Sequence, residues 1–208
     1  MNRDLFVTGT DTGVGKTLLS ALLVAALNRK YWKPIQTGAC EGTDRETVMK
    51  WTGIDADQTY PENYLFNPPV SPHLAAQWKG TAIDLRTISR PPSFDPLIIE
   101  GAGGVLVPVG DHEFMLDLMR RLSAPVLLAS RSLLGTINHT LLSVMAIRNA
   151  KLELRGVVMI GKENADNRRA VERYGSVPVV GSIPWLDTID RSTLETVFKE
   201  HFDSSVFR

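Results

Sequence analysis

The stretch Gly9-Thr10-Asp11-Thr12-Gly13-Val14-Gly15-Lys16-Thr17 constrains this chain more than any other. An apolar run, DLFVTG (4–9), leads into it, and a Leu- and Ala-rich segment, KTLLSALLVAALNRK (16–30), leads out. Strand, glycine-rich turn and helix in that order form the setting of a phosphate-binding loop. The glycines let several backbone N–H groups converge on phosphate oxygens, and the helix N-terminus adds partial positive charge. On this reading Gly13, Val14, Gly15 and Leu18 lie against a nucleotide, Lys16 lies across its β- and γ-phosphates, and the Thr17 hydroxyl ligates Mg²⁺. Five residues separate Gly9 from Gly15 where the commonest spacing has four, so the loop is a longer variant.

Further apolar runs recur at PLIIEG (96–101), APVLLAS (124–130), GVVMIG (156–161) and VPVVGSI (177–183), with helix-compatible segments between most of them. That alternation predicts an α/β chain with a mostly parallel sheet. Together with the loop it implies a three-layer α/β/α domain of the P-loop NTPase type, one domain over 1–208. Segment 16–30 is apolar nearly all round and is expected to pack as a helix between the sheet and another layer. A second such helix is expected at 135–150. Between Gly38 and Ala82 the text turns polar and proline-rich around a helix-like piece at 44–52, a region of the kind that carries function.

Acidic and basic residues balance at 23 each, which points away from nucleic acid or an anionic membrane and toward a small-molecule partner. No apolar stretch approaches the length of a membrane span, and the N-terminal run meets Asp11 before it is as long as a signal-peptide core, so a cytoplasmic location is expected. The single cysteine, Cys40, is read as a small loop residue and not as a catalytic thiol. The charges at 162–173 read as a solvated face.

A Mg²⁺–nucleotide site needs a carboxylate at a neighbouring strand end, because the cation takes hard oxygen ligands. Glu100 ends the most apolar run and is followed by Gly101-Ala102-Gly103-Gly104. Asp44, after the Gly42-Thr43 turn, reads equally as a second metal ligand or as a helix N-cap. Lys33, placed after a strand and before Pro34, reads as functional.

These residues also resemble a family. Thr8-Gly9-Thr10, Lys33-Pro34, Ser71-Pro72-His73, Glu100 to Gly104, Gly135-Thr136-Ile137-Asn138-His139 and Ile183-Pro184-Trp185-Leu186 occur in the order found in dethiobiotin synthetases. The resemblance runs through nearly the whole chain. It implies an ATP-dependent cyclo-ligase that joins CO₂ (from bicarbonate) to 7,8-diaminononanoate, giving dethiobiotin, ADP and phosphate through a carbamate and a carbamic-phosphoric anhydride. It also implies that Thr17, Asp44 and Glu100 hold Mg²⁺, and that Lys16 and Lys33 stabilise the carbamate and the transferred phosphoryl group, with Thr12 in the catalytic set. Thr12, Lys33, Thr37, Pro72, Gly103 and Leu128 would touch the diamine, with Asn138 reaching in from the second subunit of a homodimer. Pro184, Trp185 and Leu186 would lie at the nucleotide base, although Trp185 reads equally as core packing. His73 and His139 are read as structural, because carbamate formation needs a neutral amine more than a protein base.

Two positions depart from the family's pattern. Ile160 and Gly161 stand where the family can carry an Asn that recognises adenine, so base readout falls to backbone groups or to 181–186. Gly13 stands where the family can carry a Glu that contacts the amine side of the substrate. The rival readings are an amidating P-loop ligase resembling cobyrinic acid a,c-diamide synthase, and a partition-type nucleotide switch. The first lacks a catalytic Cys–His context at Cys40; the second lacks its signature lysine, because position 11 is Asp.

Overall fold

The structure is a computed structural model and describes residues 4–207; residues 1–3 and 208, the ends of the expected domain, lie outside the described residues. The chain opens with β1 (Leu5–Gly9), α1 (Lys16–Leu27), β2 (Lys30–Trp32) and the short β3 (Ile35–Gln36). Next come α2 (Asp44–Thr52), β4 (Thr59–Tyr60), β5 (Tyr64–Leu65) and α3 (Pro72–Trp78). Strands and helices then alternate as β6 (Leu97–Glu100), α4 (Met115–Leu122), β7 (Val126–Arg131), α5 (Thr136–Asn149), β8 (Leu154–Ile160), α6 (Ala165–Gly175), β9 (Val179–Ile183) and α7 (Arg191–His201).

A 7-stranded sheet runs β4-β2-β6-β1-β7-β8-β9, and every pairing in it is parallel. Parallel strands connected by helices are covered on both faces, which is why the strands read as unbroken apolar runs. Alternate side chains serve the two faces. Phe6, Ile99 and Leu128 pack under α3 to α6 with Ala75, Met119, Val144 and Val171. Leu5, Val7, Ile98 and Leu127 pack under α1, α2 and α7 with Leu22, Val48 and Leu194. The result is the expected three-layer α/β/α arrangement. Among the described residues no helix is long and apolar enough to cross a membrane.

The helix expected over 16–30 stops at Leu27. Asn28 turns left-handed (φ 49°, ψ 51°), its N–H donating to the Val24 carbonyl, and Lys30 then begins β2 by donating to the Pro96 carbonyl. Left-handed residues that are not glycine recur in this setting: Asn28, Ser123 and Ser176 cap α1, α4 and α6, and Lys151 follows the last turn of α5. The helices run antiparallel to the strands they follow, so these positions lie at the sheet edge opposite the strand C-termini.

The helix at 44–52 forms with the expected bounds. Its N-cap is Thr43, not Asp44: Thr43 Oγ1 accepts from the Glu46 N–H, and the Glu46 carboxylate accepts from the Thr43 N–H, a complete capping box. Asp44 is thereby the first helical residue, and its side chain is free for other work.

Candidate active site

The C-terminal ends of parallel strands all open on one edge, where ligands bind in α/β sheets. β1 is flanked there by β6 on one side and β7 on the other. Register sets Glu100 beside Val7, and β2, next to β6, delivers Lys33. The turn after β1 is therefore ringed by residues from three neighbouring strands.

The loop is built on unusual backbone. Gly15, the N-cap of α1, is left-handed (φ 98°) with no side-chain cap, which leaves first-turn N–H groups facing outward. A Cβ at Gly15 would fall 2.8 Å from Ile160 Cδ1, so the loop rests directly on that side chain. Ile160 is buried, and its side chain is committed to packing beneath the loop.

Thr17 Oγ1 lies 2.8 Å from Asp44 Oδ1 and 3.0 Å from Glu100 Oε1. One hydroxyl proton can serve only one of these acceptors at a time. Lys33 Nζ lies 2.7 Å from Asp44 Oδ2 and 2.9 Å from Glu100 Oε1, and Tyr31 donates to Glu100 Oε2 at 3.0 Å. Glu100, Tyr31 and Lys33 are buried, and the arrangement is an internal ion network. Lys16 is also buried, but among the described residues its Nζ donates only to the Asp11 carbonyl, at 2.9 Å.

Burial favours the neutral form of a lysine, and nearby carboxylates favour the charged form. At Lys33 burial is outweighed by Glu100 and Asp44, and the pKa stands above its ordinary value. At Asp44 burial is likewise outweighed by Lys33, and the pKa is lowered. At Lys16 burial wins, assisted by the Lys33 charge, and the pKa falls to about 8. In the unfolded chain Lys16 keeps its proton to higher pH, so its burial penalty is present at neutral pH and is relieved as pH rises through about 8 toward 10.5. An anion at Lys16 reverses the shift. Nucleotide binding at about pH 9 is therefore expected to take up close to one proton, and at about pH 7 almost none. The dependence of binding enthalpy on the ionisation enthalpy of the buffer measures this uptake; equal values at the two pH settings would refute it.

Most of the residues singled out from sequence meet in one cleft of about 340 Å³. Thr12, Gly13, Gly15, Lys16, Thr17 and Leu18 line its loop side, and Val14 is buried behind them. Lys33, Thr37, Asp44, Glu100 and Gly103 line the other side. Pro72 is instead buried at the start of α3, and the neighbouring His73 lines a different cavity. Leu128 is 0% exposed within β7 and does not line this cleft. Asn138 is exposed on the first turn of α5, next to His139, which lines a second cavity of about 330 Å³ with Thr10 and Asp11.

Trp185 is 77% exposed, which removes the core reading; its ring lies 3.5 Å from where a Cβ on Gly161 would stand. Pro184 and Leu186 flank it, half-buried, just after β9. Cys40 is exposed in a short turn and does not line the cleft.

Four residues of the site escaped the sequence reading, one of them Tyr31, which donates to Glu100. Gln36 and Trp51 line the cleft, and Arg131, at the end of β7, donates to the Thr12 and Gly13 carbonyls at 3.1 and 2.9 Å. The signal for Arg131 was available: it is the first charged residue after a buried run.

Residues 3–193 match the family described as AAA domain. The chain is 42% identical over 207 residues to the ATP-dependent dethiobiotin synthetase of Rhodopseudomonas palustris (strain HaA2), covering 100% of this chain and 97% of that protein. It is 44% identical over 202 residues to the ATP-dependent dethiobiotin synthetase of Nitrobacter hamburgensis, covering 97% and 95%. Among solved structures, chloroplast FtsY from Physcomitrella patens superposes with a TM-score of 0.56 at 15% identity, over 98% of this chain and 62% of that one, a likeness of fold alone. Full-length identity of this order, on a chain whose loop, strand-end carboxylate and paired lysines meet in one cleft, places the protein in the dethiobiotin synthetase family of AAA-domain proteins.

Proposed function

We propose that the chain closes the ureido ring of dethiobiotin, using ATP to join CO₂ to 7,8-diaminononanoate. One observation carries the reading: two buried lysines, one ion-paired to Asp44 and Glu100 and one that among the described residues forms no ion pair, face a single cleft at the N-terminus of α1. Every stage of the reaction moves negative charge between carbamate, anhydride and phosphate, and preorganised cations and N–H groups in a dry site are what stabilise such charge.

Lys16 is assigned to the β- and γ-phosphates, since it is the cation without a carboxylate of its own. Lys33 bridges Asp44 and Glu100 and is assigned to the carbamate side of the transferred phosphoryl group. Thr12, Thr37 and Gly103 line the cleft where the diamine would extend. The Thr17 hydroxyl and the two carboxylates are hard oxygen donors about 3 Å apart, a set that fits Mg²⁺, a cation that keeps several waters of its own. Bound there, Mg²⁺ would neutralise phosphate charge.

The exposed apolar residues Leu142 and Met145 on α5, with Leu106 near the second cavity, support a second copy of the chain docking there. That copy would bring its Asn138 to the substrate. The amidating and switch readings gain nothing from the structure: Cys40 lies outside the cleft, and Asp11 holds the signature position.

The test is an assay of phosphate release and dethiobiotin formation from ATP, Mg²⁺ and bicarbonate, with and without 7,8-diaminononanoate. Both products are expected, together, only with the diamine; phosphate release without it would remove the ligase reading. Because Ile160 is buried under Gly15 and carries no amide, ATP, GTP and CTP are expected to give kcat/KM values within about tenfold of one another, since strong discrimination needs a polar group that reads the base. A preference for ATP of several orders of magnitude would show that backbone groups read adenine.

A further inference from the structure

Arg131 is the last residue of β7, two residues beyond Ala129, the partner of Gly9 in the sheet. The alternation of side chains decides where it points. Ala129 packs on the α1 face of the sheet, and Ser130 bonds Thr136 and Thr140 of α5 on the opposite face. Arg131 therefore returns to the side of the phosphate loop. One guanidinium nitrogen, Nη2, donates to the Thr12 carbonyl at 3.1 Å and to the Gly13 carbonyl at 2.9 Å.

A planar trans peptide points its C=O and its N–H in opposite directions. A cation holding the carbonyls of residues 12 and 13 on one side consequently turns the N–H groups of Gly13 and Val14 to the other. Those donors belong to the loop that α1 extends. Gly13 is left-handed (φ 65°), and a Cβ there would stand 3.0 Å from the same Nη2, so the guanidinium occupies the space a side chain at 13 would need. The Arg131 guanidinium and the bare backbone at Gly13 form one fitted unit.

We propose that Arg131 is a positioning residue: it clamps the Thr12 and Gly13 carbonyls from outside the loop and so presets the Gly13 and Val14 N–H groups for nucleotide phosphate. The proposal rests on reading this loop as the phosphate site. Arg131 is exposed and makes its bonds to loop carbonyls, so its removal is expected to act on binding and not on folding.

The experiment measures the affinity of Arg131→Ala and Arg131→Lys for ADP with Mg²⁺ by calorimetry, KM and kcat for ATP, and the unfolding temperature without nucleotide. Arg131→Ala is expected to weaken ADP about tenfold and to raise KM for ATP in parallel, with an unchanged unfolding temperature and partial rescue in Arg131→Lys. Gly13→Ala measured in the wild-type and Arg131→Ala backgrounds completes a double-mutant cycle, in which the alanine is expected to harm ADP binding less once the guanidinium is gone. Wild-type affinity in Arg131→Ala, or additive effects in the cycle, would overturn the proposal. If the wild-type protein itself does not bind ADP, the phosphate-site reading falls and takes the proposal with it.

Discussion

Lys16→Met is expected to slow dethiobiotin formation by about a thousandfold while leaving the ligand-free protein at least as stable as the wild type. The two halves of this expectation have one origin. Lys16 is buried with a single carbonyl for company, and its pKa of about 8 records that the fold does not favour its charge. A methionine of similar length keeps the packing and removes a desolvated ammonium. What is lost, on the proposed assignment, is the cation that meets phosphate, in a site where preorganised charge counts for most. Turnover and thermal unfolding of the same preparation separate the two effects. A variant that keeps a tenth of wild-type activity would remove Lys16 from the reaction, and one that unfolds well below the wild type would show that its charge supports the fold.

Lys33→Met is expected to behave in the opposite way toward stability. Its ammonium is the shared partner of Asp44 and of a Glu100 side chain with 0% exposure. Removing one member of a buried pair leaves the other charge uncompensated, at a cost of about 3–5 kcal/mol, or roughly 10 °C in unfolding temperature for a chain of this size. Activity should fall as well. The double variant Lys33→Met with Glu100→Gln removes both charges and is expected to recover most of the stability and none of the activity. Scanning calorimetry on the single and double variants decides: a single variant as stable as the wild type would mean that the buried Glu100 carboxylate does not depend on Lys33 for its compensation.

The same network carries a pH signature. Asp44 titrates below its ordinary value in the folded state, so its share of stability is complete above the ordinary carboxylate pKa and is lost as pH falls through the lowered one. Lys33, raised, contributes below the ordinary lysine value and loses its share as pH climbs past the folded one.

Much of this was legible in the sequence because burial on both faces writes itself as uninterrupted apolar text. β1, β6, β7, β8 and β9 lie where their runs suggested, within a residue or two. A strand before Lys33 was expected, but its start was hidden: the helical reading ran on to Lys30, because Asn28-Arg29-Lys30 contains no glycine or proline and the turn there is made by an asparagine in a left-handed conformation. β4 and β5 are two residues long, too short for any period to show. In the site, Lys16, Thr17, Lys33 and Glu100 were legible because their chemistry is tied to fixed offsets from a strand or a helix start. Asp44 was ambiguous until Thr43 proved to be the cap. Arg131 was missed although its place as the first charged residue after a buried run marked it; its role, like that of Tyr31, comes from neighbouring strands whose order no local pattern specifies.

The division of the sheet into a chemical edge and a plain one bears on engineering. Asn28, Ser123, Lys151 and Ser176 hold a conformation that glycine adopts without steric conflict, and all four close helices at the edge farthest from the loop. Glycine at any of them would remove a strain of up to about 1 kcal/mol. Enzymes often exchange activity for robustness because the strained backbone is also the working backbone. Here the two are at opposite ends of the molecule, so a heat-tolerant version of this ligase could be assembled from turn substitutions alone, with its phosphate loop untouched.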